Sequence, residues 1–173
     1  IEDNFNDQKK FMLAIDKGQQ IIVSGDADEW STVKISGSTD TEKLEAYEVF
    51  RKKSLDSLVN SVRDQIKTLK EKNDPSNDAE IARLGDLEIV NYDRHKEELI
   101  DFVKTNMGSS IAVYSTSLRW DGDKNVPVLE NIAADFEKAH PNLAVTAKLT
   151  EKVKSIKNSS VGGTVPELNL PDK

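Results

Sequence analysis

The chain has 173 residues and a formal net charge of −7, which argues against a nucleic-acid partner because phosphate binding needs clustered Lys and Arg. It contains no cysteine, and this excludes disulfides, thiol catalysis and thiolate metal sites within it. No run approaches the ~20 apolar residues of a membrane-spanning helix, and none resembles the core of a signal peptide.

Residues 1 to 38 are predicted to form three short strands of a small antiparallel sheet. Lys10–Ile15 precedes a turn signal, Gln20–Ser24 is rich in β-branched residues, and Thr32–Ser36 alternates apolar with polar side chains. Because three short strands rarely form a stable sheet alone, they either pack on the helices that follow or belong to a larger sheet. The start at Ile1, without an initiator Met, favours the larger sheet and a processed or excised chain.

Residues 39 to 106 are predicted to form two long helices folded back as a hairpin. Apolar residues recur mostly every three or four positions, which gives an α-helix one apolar stripe. The turn formers from Lys72 to Asn77, with a proline among them, separate the two arms. An arm of roughly 30 residues would be about 45 Å long. The stripes consist of Leu44, Tyr47, Phe50, Leu55, Leu58, Val59, Val62, Ile66 and Leu69 in the first arm, and of Ile81, Leu84, Leu87, Val90, Leu99, Phe102 and Val103 in the second.

The ends of these helices carry signals of their own. Thr39–Glu42 has the spacing of a capping box, and Asn77–Glu80 opens the second arm in a similar way. Gly85 costs about 1 kcal/mol relative to alanine inside a helix, and it indicates a kink or a close helix contact. Gly108 suits a left-handed C-terminal cap.

Three shorter helices are predicted after Gly108. The first lies within Ser109–Leu118, and the second begins at Pro127, a residue suited to the first turn of a helix. His140 to Asn142 ends the second helix, and the third carries apolar residues from Val145 to Ile156. Short helices after short loops favour antiparallel neighbours packed on the hairpin.

These elements predict an α+β fold, mainly α, in which a small N-terminal antiparallel β remnant precedes a helical domain built on a long helical hairpin. The predicted domains are a β-rich segment 1–38, a helical domain 39–158 and a linker 159–173. The last segment is assigned as a linker because glycine and serine there give way to an extended, proline-bounded sequence.

No catalytic, cofactor-binding or metal-binding residue is predicted. Asp121, Asp123 and Asn125 begin like a calcium-binding loop, but Val126 and Ile132 occupy the positions that need a glycine and a carboxylate. The residues around His95 are interpreted as a polar strip on an exposed helix face rather than as a general-base cluster. The sequence shows no recognisable Ser/His/Asp catalytic triad.

Trp30 and Trp120 are the candidate partner-binding residues. An exposed tryptophan is a frequent anchor of protein interfaces. The alternative is that both side chains belong to the core or cover it.

The end of the chain resembles a known family. Gly162-Gly163-Thr164-Val165-Pro166-Glu167-Leu168-Asn169-Leu170-Pro171-Asp172 is similar to the lead-in to the thioredoxin-like domain of TlpA/ResA-type thiol-disulfide oxidoreductases. Residues 20–26 and 33–38 resemble the end of the β-rich domain that precedes this module in Bacteroidetes-type envelope proteins. Residues 102–106 with Ser109-Ser110 are similar to the family's Asn-Pro-Ser turn, although Met107-Gly108 lacks the proline.

The resemblance implies that the chain is the non-catalytic N-terminal region, of unknown function, of such an oxidoreductase and stops just before the redox domain. The family's active-site cysteines have no counterpart here, so no catalytic residue is carried over. The full protein would reduce or exchange protein disulfides by thiolate attack through a mixed disulfide. Its expected location is the cell envelope or periplasm, with a lipid anchor. Its expected partners are its own thioredoxin-like domain and substrate proteins with disulfides.

Two other functions stay open. The chain could be an independent helical interaction or oligomerisation module, because two long amphipathic arms allow pairing between copies of the chain. An enzyme that uses carboxylates is the third, and it would need a pocket with convergent carboxylates of shifted pKa.

Overall fold

A computed structural model describes residues 12–117 and 125–160, apart from the side chains of Trp30 and Ser117. The chain divides into two compact units, Ile1–Ala112 and Val113–Lys173. The predicted fold class, α+β and mainly α, is confirmed, and the domain boundaries after residues 38 and 158 stay predictions. The described elements are β1 (Ile22–Ser24), β2 (Lys34–Ser36), α1 (Thr39–Leu55), α2 (Ser61–Glu71), α3 (Asp78–Asn106), α4 (Val113–Ser117), α5 (Val126–Ala139) and α6 (Ala144–Ser159), with 3-10 turns at Trp30–Thr32 and Pro75–Asn77 and a π-helical turn at Asp56–Asn60.

β1 and β2 form a two-stranded antiparallel sheet in which Ile22 lies opposite Ser36. They lie within two of the three predicted strands, but each has only three residues. The chain leaves β2 through Gly37, whose φ is +88°. A Cβ atom there would lie 1.9 Å from the carbonyl oxygen of Gln20. Only glycine fits this position, so Gly37 fixes the exit from the sheet towards α1.

The third predicted strand, Lys10–Ile15, is wrong for its described residues, which are irregular, and its first two residues lie outside the described part. The Ala14 N–H donates to Oγ1 of Thr41 at 3.0 Å. The Ala14 carbonyl accepts from Oγ of Ser38 at 2.7 Å and from Oγ1 of Thr41 at 2.9 Å. Because hydroxyl groups at the start of α1 already satisfy this backbone, it does not need a neighbouring strand.

Helix α1 begins one residue earlier than the predicted capping box implies. Ser38 is the N-cap, with extended backbone, and its Oγ accepts from the N–H of Thr41 at 3.1 Å. Thr39 is exposed and is the first helical residue. The prediction that a hydroxyl group caps α1 is therefore correct, but the capping residue is Ser38 and not Thr39.

The turn between the arms is confirmed. Asn73 has a φ of 49°, in the left-handed region, and the carboxylate of Asp74 accepts from the N–H of Ser76 at 2.9 Å. The predicted cap at Asn77 is wrong, because its side chain makes no capping hydrogen bond to α3. Its amide group donates instead to the Leu69 carbonyl at 3.5 Å.

The two arms pack through aromatic and aliphatic side chains. The rings of Phe50 and Phe102 stack with centroids 4.8 Å apart, and Tyr47 approaches Phe102 at 6.0 Å. Fully burying a large apolar side chain stabilises a fold by about 1.5–3 kcal/mol, so this stripe supplies the main stabilisation of the hairpin. The buried apolar residues of the hairpin are Leu44, Tyr47, Val59, Val62, Leu84, Leu99, Ile100 and Val103.

The first arm is interrupted by the π-turn at Asp56–Asn60, which the sequence analysis did not predict. Ser54 and Val59 are both buried although they are five positions apart. A regular α-helix turns by about 100° per residue, so it would place them about 140° apart. The i→i+5 hydrogen bonding of a π-turn brings such residues to the same side. The π-turn therefore keeps the buried stripe continuous.

The glycine within the second arm and the glycine after it behave differently. Helix α3 is continuous through Gly85, and a Cβ atom there would meet no heavy atom within 4 Å among the described residues. The predicted close helix contact at Gly85 is therefore wrong. Gly108 directly follows the C-cap residue Met107 and has a φ of +54°, which confirms the predicted left-handed cap.

The second unit contains α4, α5 and α6. Pro127 lies in the first turn of α5, as predicted. Helix α5 ends before His140, as predicted. The carbonyl of His140 accepts a hydrogen bond from Oγ1 of Thr146. The buried apolar side chains of α5 and α6 are Val126, Leu129, Ala133, Phe136, Leu149 and Val153.

Candidate functional site

The two tryptophans predicted as partner-binding residues cannot be assigned a contact. Trp30 begins a 3-10 turn, Trp30–Thr32, but its side chain lies outside the described part of the chain. Trp120 falls in residues 118–124, which also lie outside it. The partner-binding role of both residues stays a prediction.

The structure brings together a polar cluster that the sequence analysis missed. It consists of Ser54 at the end of α1 and of His95 and Glu98 on α3. Interpreting His95 as part of an exposed strip is wrong, because only 5% of it is exposed, whereas its neighbours Arg94 and Glu97 are exposed. We call Ser54, His95 and Glu98 the inter-arm cluster.

Helical spacing could have revealed this cluster. His95 lies four positions before Leu99, and Ser54 lies seven positions after Tyr47, so each polar residue occupies a place in a buried stripe. A polar residue at a core position needs a hydrogen-bond partner. The pattern therefore pointed to a buried polar contact between the arms.

The hydrogen bonds of the inter-arm cluster define the form of the histidine. Ser54 Oγ donates to Oε2 of Glu98 at 2.7 Å, and it lies 2.8 Å from Nδ1 of His95. A hydroxyl group has one hydrogen, and the carboxylate takes it. We infer that Nδ1 of His95 carries a proton and donates to Ser54, which leaves Nε2 unprotonated in the neutral ring.

The surroundings favour this neutral form. Burial of the imidazole lowers the pKa of His95, and the positive charge of Arg51 lowers it further, while the carboxylate of Glu98 acts in the opposite direction. The net direction is downward from the ordinary histidine value of about 6.5. At neutral pH His95 is therefore an uncharged part of the hairpin interior.

The inter-arm cluster contains the residue types of a hydrolytic triad, but their order differs. In such a triad the histidine lies between the serine and the carboxylate and takes the serine proton. Here Ser54 lies between His95 and Glu98, and its hydrogen points to the carboxylate. Only 4% of Ser54 is exposed. The arrangement does not activate a nucleophile; it links the two arms.

A further hydrogen bond from α3 reaches the π-turn. Nδ2 of Asn91 donates to the backbone carbonyl of Leu58 at 2.8 Å. The π-turn follows Ser54 by two residues, so α3 holds the first arm both before and within its irregular turn. The inter-arm cluster and Asn91 together fix the alignment of the arms there.

A second buried polar cluster lies where the N-terminal segment meets the hairpin. The carboxylate of Asp40, on the first turn of α1, accepts hydrogen bonds from Gln19 and from Ser110. Ser38 also contacts Oε1 of Gln19 at 2.6 Å. An acidic side chain in the first helical turn is stabilised by the helix dipole. This cluster joins three segments that are distant in sequence.

A groove of about 440 Å³ runs between α5 and α6. Its rims carry charges of opposite sign, with Glu130 and Glu137 on α5 and Lys154 and Lys157 on α6. Nζ of Lys157 pairs with Oε1 of Glu130 at 2.7 Å. Both acidic residues lie on one wall and one of them is neutralised, so the groove does not present a pair of convergent carboxylates.

Within residues 12–117 and 125–160, no group of three or more His, Asp or Glu side chains is placed to hold a metal ion. None of the helices described in those ranges is long and apolar enough to cross a membrane. No protein-family model, no curated protein and no solved structure matches this chain.

Proposed function

We propose that this chain is a non-catalytic scaffold and that it forms the N-terminal region of a TlpA/ResA-like thiol-disulfide oxidoreductase. The observation that carries the proposal is the position of the Gly162–Asp172 segment. Helix α6 ends at Ser159, and the residues that resemble the lead-in to a thioredoxin-like domain begin three positions later. A helical module followed by such a lead-in is the order expected if a redox module comes next, and this supports the proposal.

The hairpin has properties suited to a spacer. Helix α3 has 29 residues, which correspond to about 44 Å of helix. Its buried polar groups are directed at the other arm rather than at a pocket, as Ser54 and His95 demonstrate. Contacts of this kind resist bending of the arms relative to each other. Such a body supports a role in positioning a redox domain or its partner.

In this proposal the redox chemistry belongs to the following domain. The chain has no cysteine, so it supplies neither the attacking thiolate nor the leaving thiolate of a disulfide exchange. Its partners would be the thioredoxin-like domain of the same protein and substrate proteins that carry disulfides. The proposed location is the cell envelope or periplasm, with an anchor in the full-length protein.

An independent interaction or oligomerisation module is the alternative. It is favoured by apolar side chains on the outside of the hairpin, where Val49 is 71% exposed and Ile89 and Val90 are 66% and 64% exposed. Ile89 and Val90 are adjacent in the sequence, and adjacent exposed apolar residues are frequent in protein interfaces. Helix pairing between two copies would cover them.

Reading the coding sequence beyond Lys173 separates the two functions. A Trp-Cys-x-x-Cys motif downstream supports the oxidoreductase proposal, and a stop codon directly after Lys173 contradicts it. The alternative is tested by size-exclusion chromatography with light scattering over a range of concentrations. A monomer at every concentration contradicts self-pairing, whereas a dimer that Ile89→Ser and Val90→Ser dissociate supports it.

The scaffold role has a separate test with a reducing assay on a disulfide-containing protein. The 173-residue chain is expected not to accelerate reduction above the rate of the dithiol alone, while the longer protein does. Turnover by the chain alone contradicts a non-catalytic role whatever follows in the gene.

A further inference from the structure

We propose that the inter-arm cluster is a pH-dependent latch, in which a proton taken up by His95 releases the two arms from each other around the π-turn. The latch consists of Ser54, His95 and Glu98, and the turn that it controls is Asp56–Asn60. This proposal concerns the hairpin alone and does not depend on the proposed scaffold function.

In the neutral cluster, the N–H group of His95 and the hydroxyl group of Ser54 each donate one hydrogen bond. Nδ1 of His95 donates to Ser54, and Ser54 donates to Glu98. A second proton on the ring must therefore go to Nε2. Only 5% of His95 is exposed, so the ring has little contact with water. Placing a positive charge on a buried ring is costly, so protonation favours conformations in which the ring reaches water.

Charged groups surround His95 on both arms. From α1, Arg51 faces the ring as a positive charge and pairs with Glu48 at 2.8 Å. From α3, Glu98 is the acidic group bonded to the cluster, and its other oxygen pairs with Arg94 at 3.2 Å. Burial and Arg51 outweigh the attraction of Glu98. The other charged residues within four positions of Ser54 or His95 are Lys52, Lys53, Asp56, Asp93, Lys96 and Glu97.

The effect of protonation is expected to stay local. The π-turn begins two residues after Ser54 and lacks the regular i→i+4 pattern, so it is a weak point of the first arm. When Ser54 loses its partner, the Asn91 hydrogen bond to Leu58 and the buried Val59 still hold the turn against α3. The stacked rings of Phe50 and Phe102 lie outside the turn and keep the base of the hairpin together.

Amide hydrogen exchange of the 173-residue chain at about pH 7 and at about pH 5.5, corrected for intrinsic exchange, tests the latch. A single proton changes an opening equilibrium by at most tenfold per pH unit. We expect protection of residues 54–60 to fall several-fold, towards that limit, on acidification, while α5 and α6 keep theirs. Unchanged protection at 54–60, or an equal loss in every helix, would overturn the proposal.

Two variants assign the effect to one histidine. In His95→Asn, the side-chain amide donates from the position of Nδ1 and does not titrate, so protection of residues 54–60 should no longer depend on pH. In His140→Asn, a histidine outside the hairpin is changed and the wild-type response should remain. A response that survives in His95→Asn contradicts the latch.

A measurement on the unmodified protein covers the case in which His95→Asn does not fold. Nitrogen NMR of the imidazole groups reports the tautomer directly. The latch requires that His95 carry its proton on Nδ1 at neutral pH and gain one on Nε2 on acidification. A neutral ring with its proton on Nε2 overturns the proposal.

Discussion

Ser54 Oγ and His95 Nδ1 lie 2.8 Å apart in the interior of the hairpin, and they come from helices that are 41 positions apart in the sequence. Both side chains are at most 5% exposed. A buried polar pair of this kind contributes little net stability while it is intact, but it is costly to break from one side. Removing one partner of the pair should therefore cost more than the intact pair contributes.

Replacing Ser54 with alanine is expected to destabilise the hairpin. The change removes the hydrogen-bond acceptor of His95 and the donor to Glu98, and leaving buried polar groups without partners costs about 1–3 kcal/mol. Urea unfolding followed by circular dichroism measures the loss. Ser61→Ala is the matched control, because Ser61 is exposed and its hydroxyl group bonds to the carbonyl of Ser57, four positions earlier on the same arm. Equal losses in the two variants would contradict a buried role for Ser54.

The free energy of unfolding is expected to fall on mild acidification because of His95. Its pKa is lowered in the folded state, so below about pH 6.5 the unfolded state binds more protons than the folded state. The contribution of His95 is therefore complete above that pH and is lost as the pH decreases. Urea titrations between about pH 7.5 and pH 5 should show a decline that His95→Asn removes.

Two carboxyl groups also have lowered pKa values in the folded state. Their protonation likewise lowers the free energy of unfolding, but at a lower pH than that of His95. Hydrogen bonds from Ser76 lower the pKa of Asp74, and the Arg83 guanidinium lowers the pKa of Glu80. Carboxyl groups titrate near pH 4, so a decline above about pH 5 separates His95 from them. A decline that begins only below pH 5 would show that His95 contributes no pH dependence.

Ser38→Ala is expected to weaken the start of α1. Ser38 caps the helix and also bonds to the carbonyl of Ala14, and the loss of an N-cap hydroxyl group costs about 1–2 kcal/mol. Thr39→Ala tests the position that the sequence favoured, and it should change the free energy of unfolding by less than about 0.5 kcal/mol. Thermal unfolding of both variants decides between the two caps, and a larger loss for Thr39→Ala would contradict the structure.

Gly85→Ala is expected to stabilise the chain by about 1 kcal/mol, because it replaces a glycine in a continuous helix and the added methyl group meets no atom within 4 Å. The melting temperature should therefore rise. Gly108→Ala is the matched variant, and the opposite effect on stability is expected for it. The φ of +54° at Gly108 places an alanine in the left-handed region, so this variant should lose about 1–2 kcal/mol. A loss of stability in Gly85→Ala would show that a contact at this position had been missed.

Much of the fold followed from local rules in the sequence. The hairpin, its turn, the first-turn position of Pro127 and the cap at Gly108 each depend on residues within one or two turns of each other, and all four were predicted. The strands were harder, because the Ala14 backbone is satisfied by hydroxyl groups 24 and 27 positions away. No local pattern contains that information.

The candidate site was missed for a related reason. His95 stands among Arg94, Lys96 and Glu97, and this local polarity concealed that the residue lies on the buried stripe. The π-turn has no sequence signature, yet it determines that Ser54 and Val59 face the same side. Periodicity across both arms, rather than the residues next to His95, would have identified the contact.

The bonds of the Ala14 backbone to Ser38 and Thr41 have a practical consequence for dissecting the protein. A polypeptide that starts at Thr39 would lose its helix cap and leave the carboxylate of Asp40 without Gln19. Fraying of the first turns would then be mistaken for intrinsic weakness of the helices. Fragments meant to report on the hairpin should retain the upstream residues from Met12 onwards.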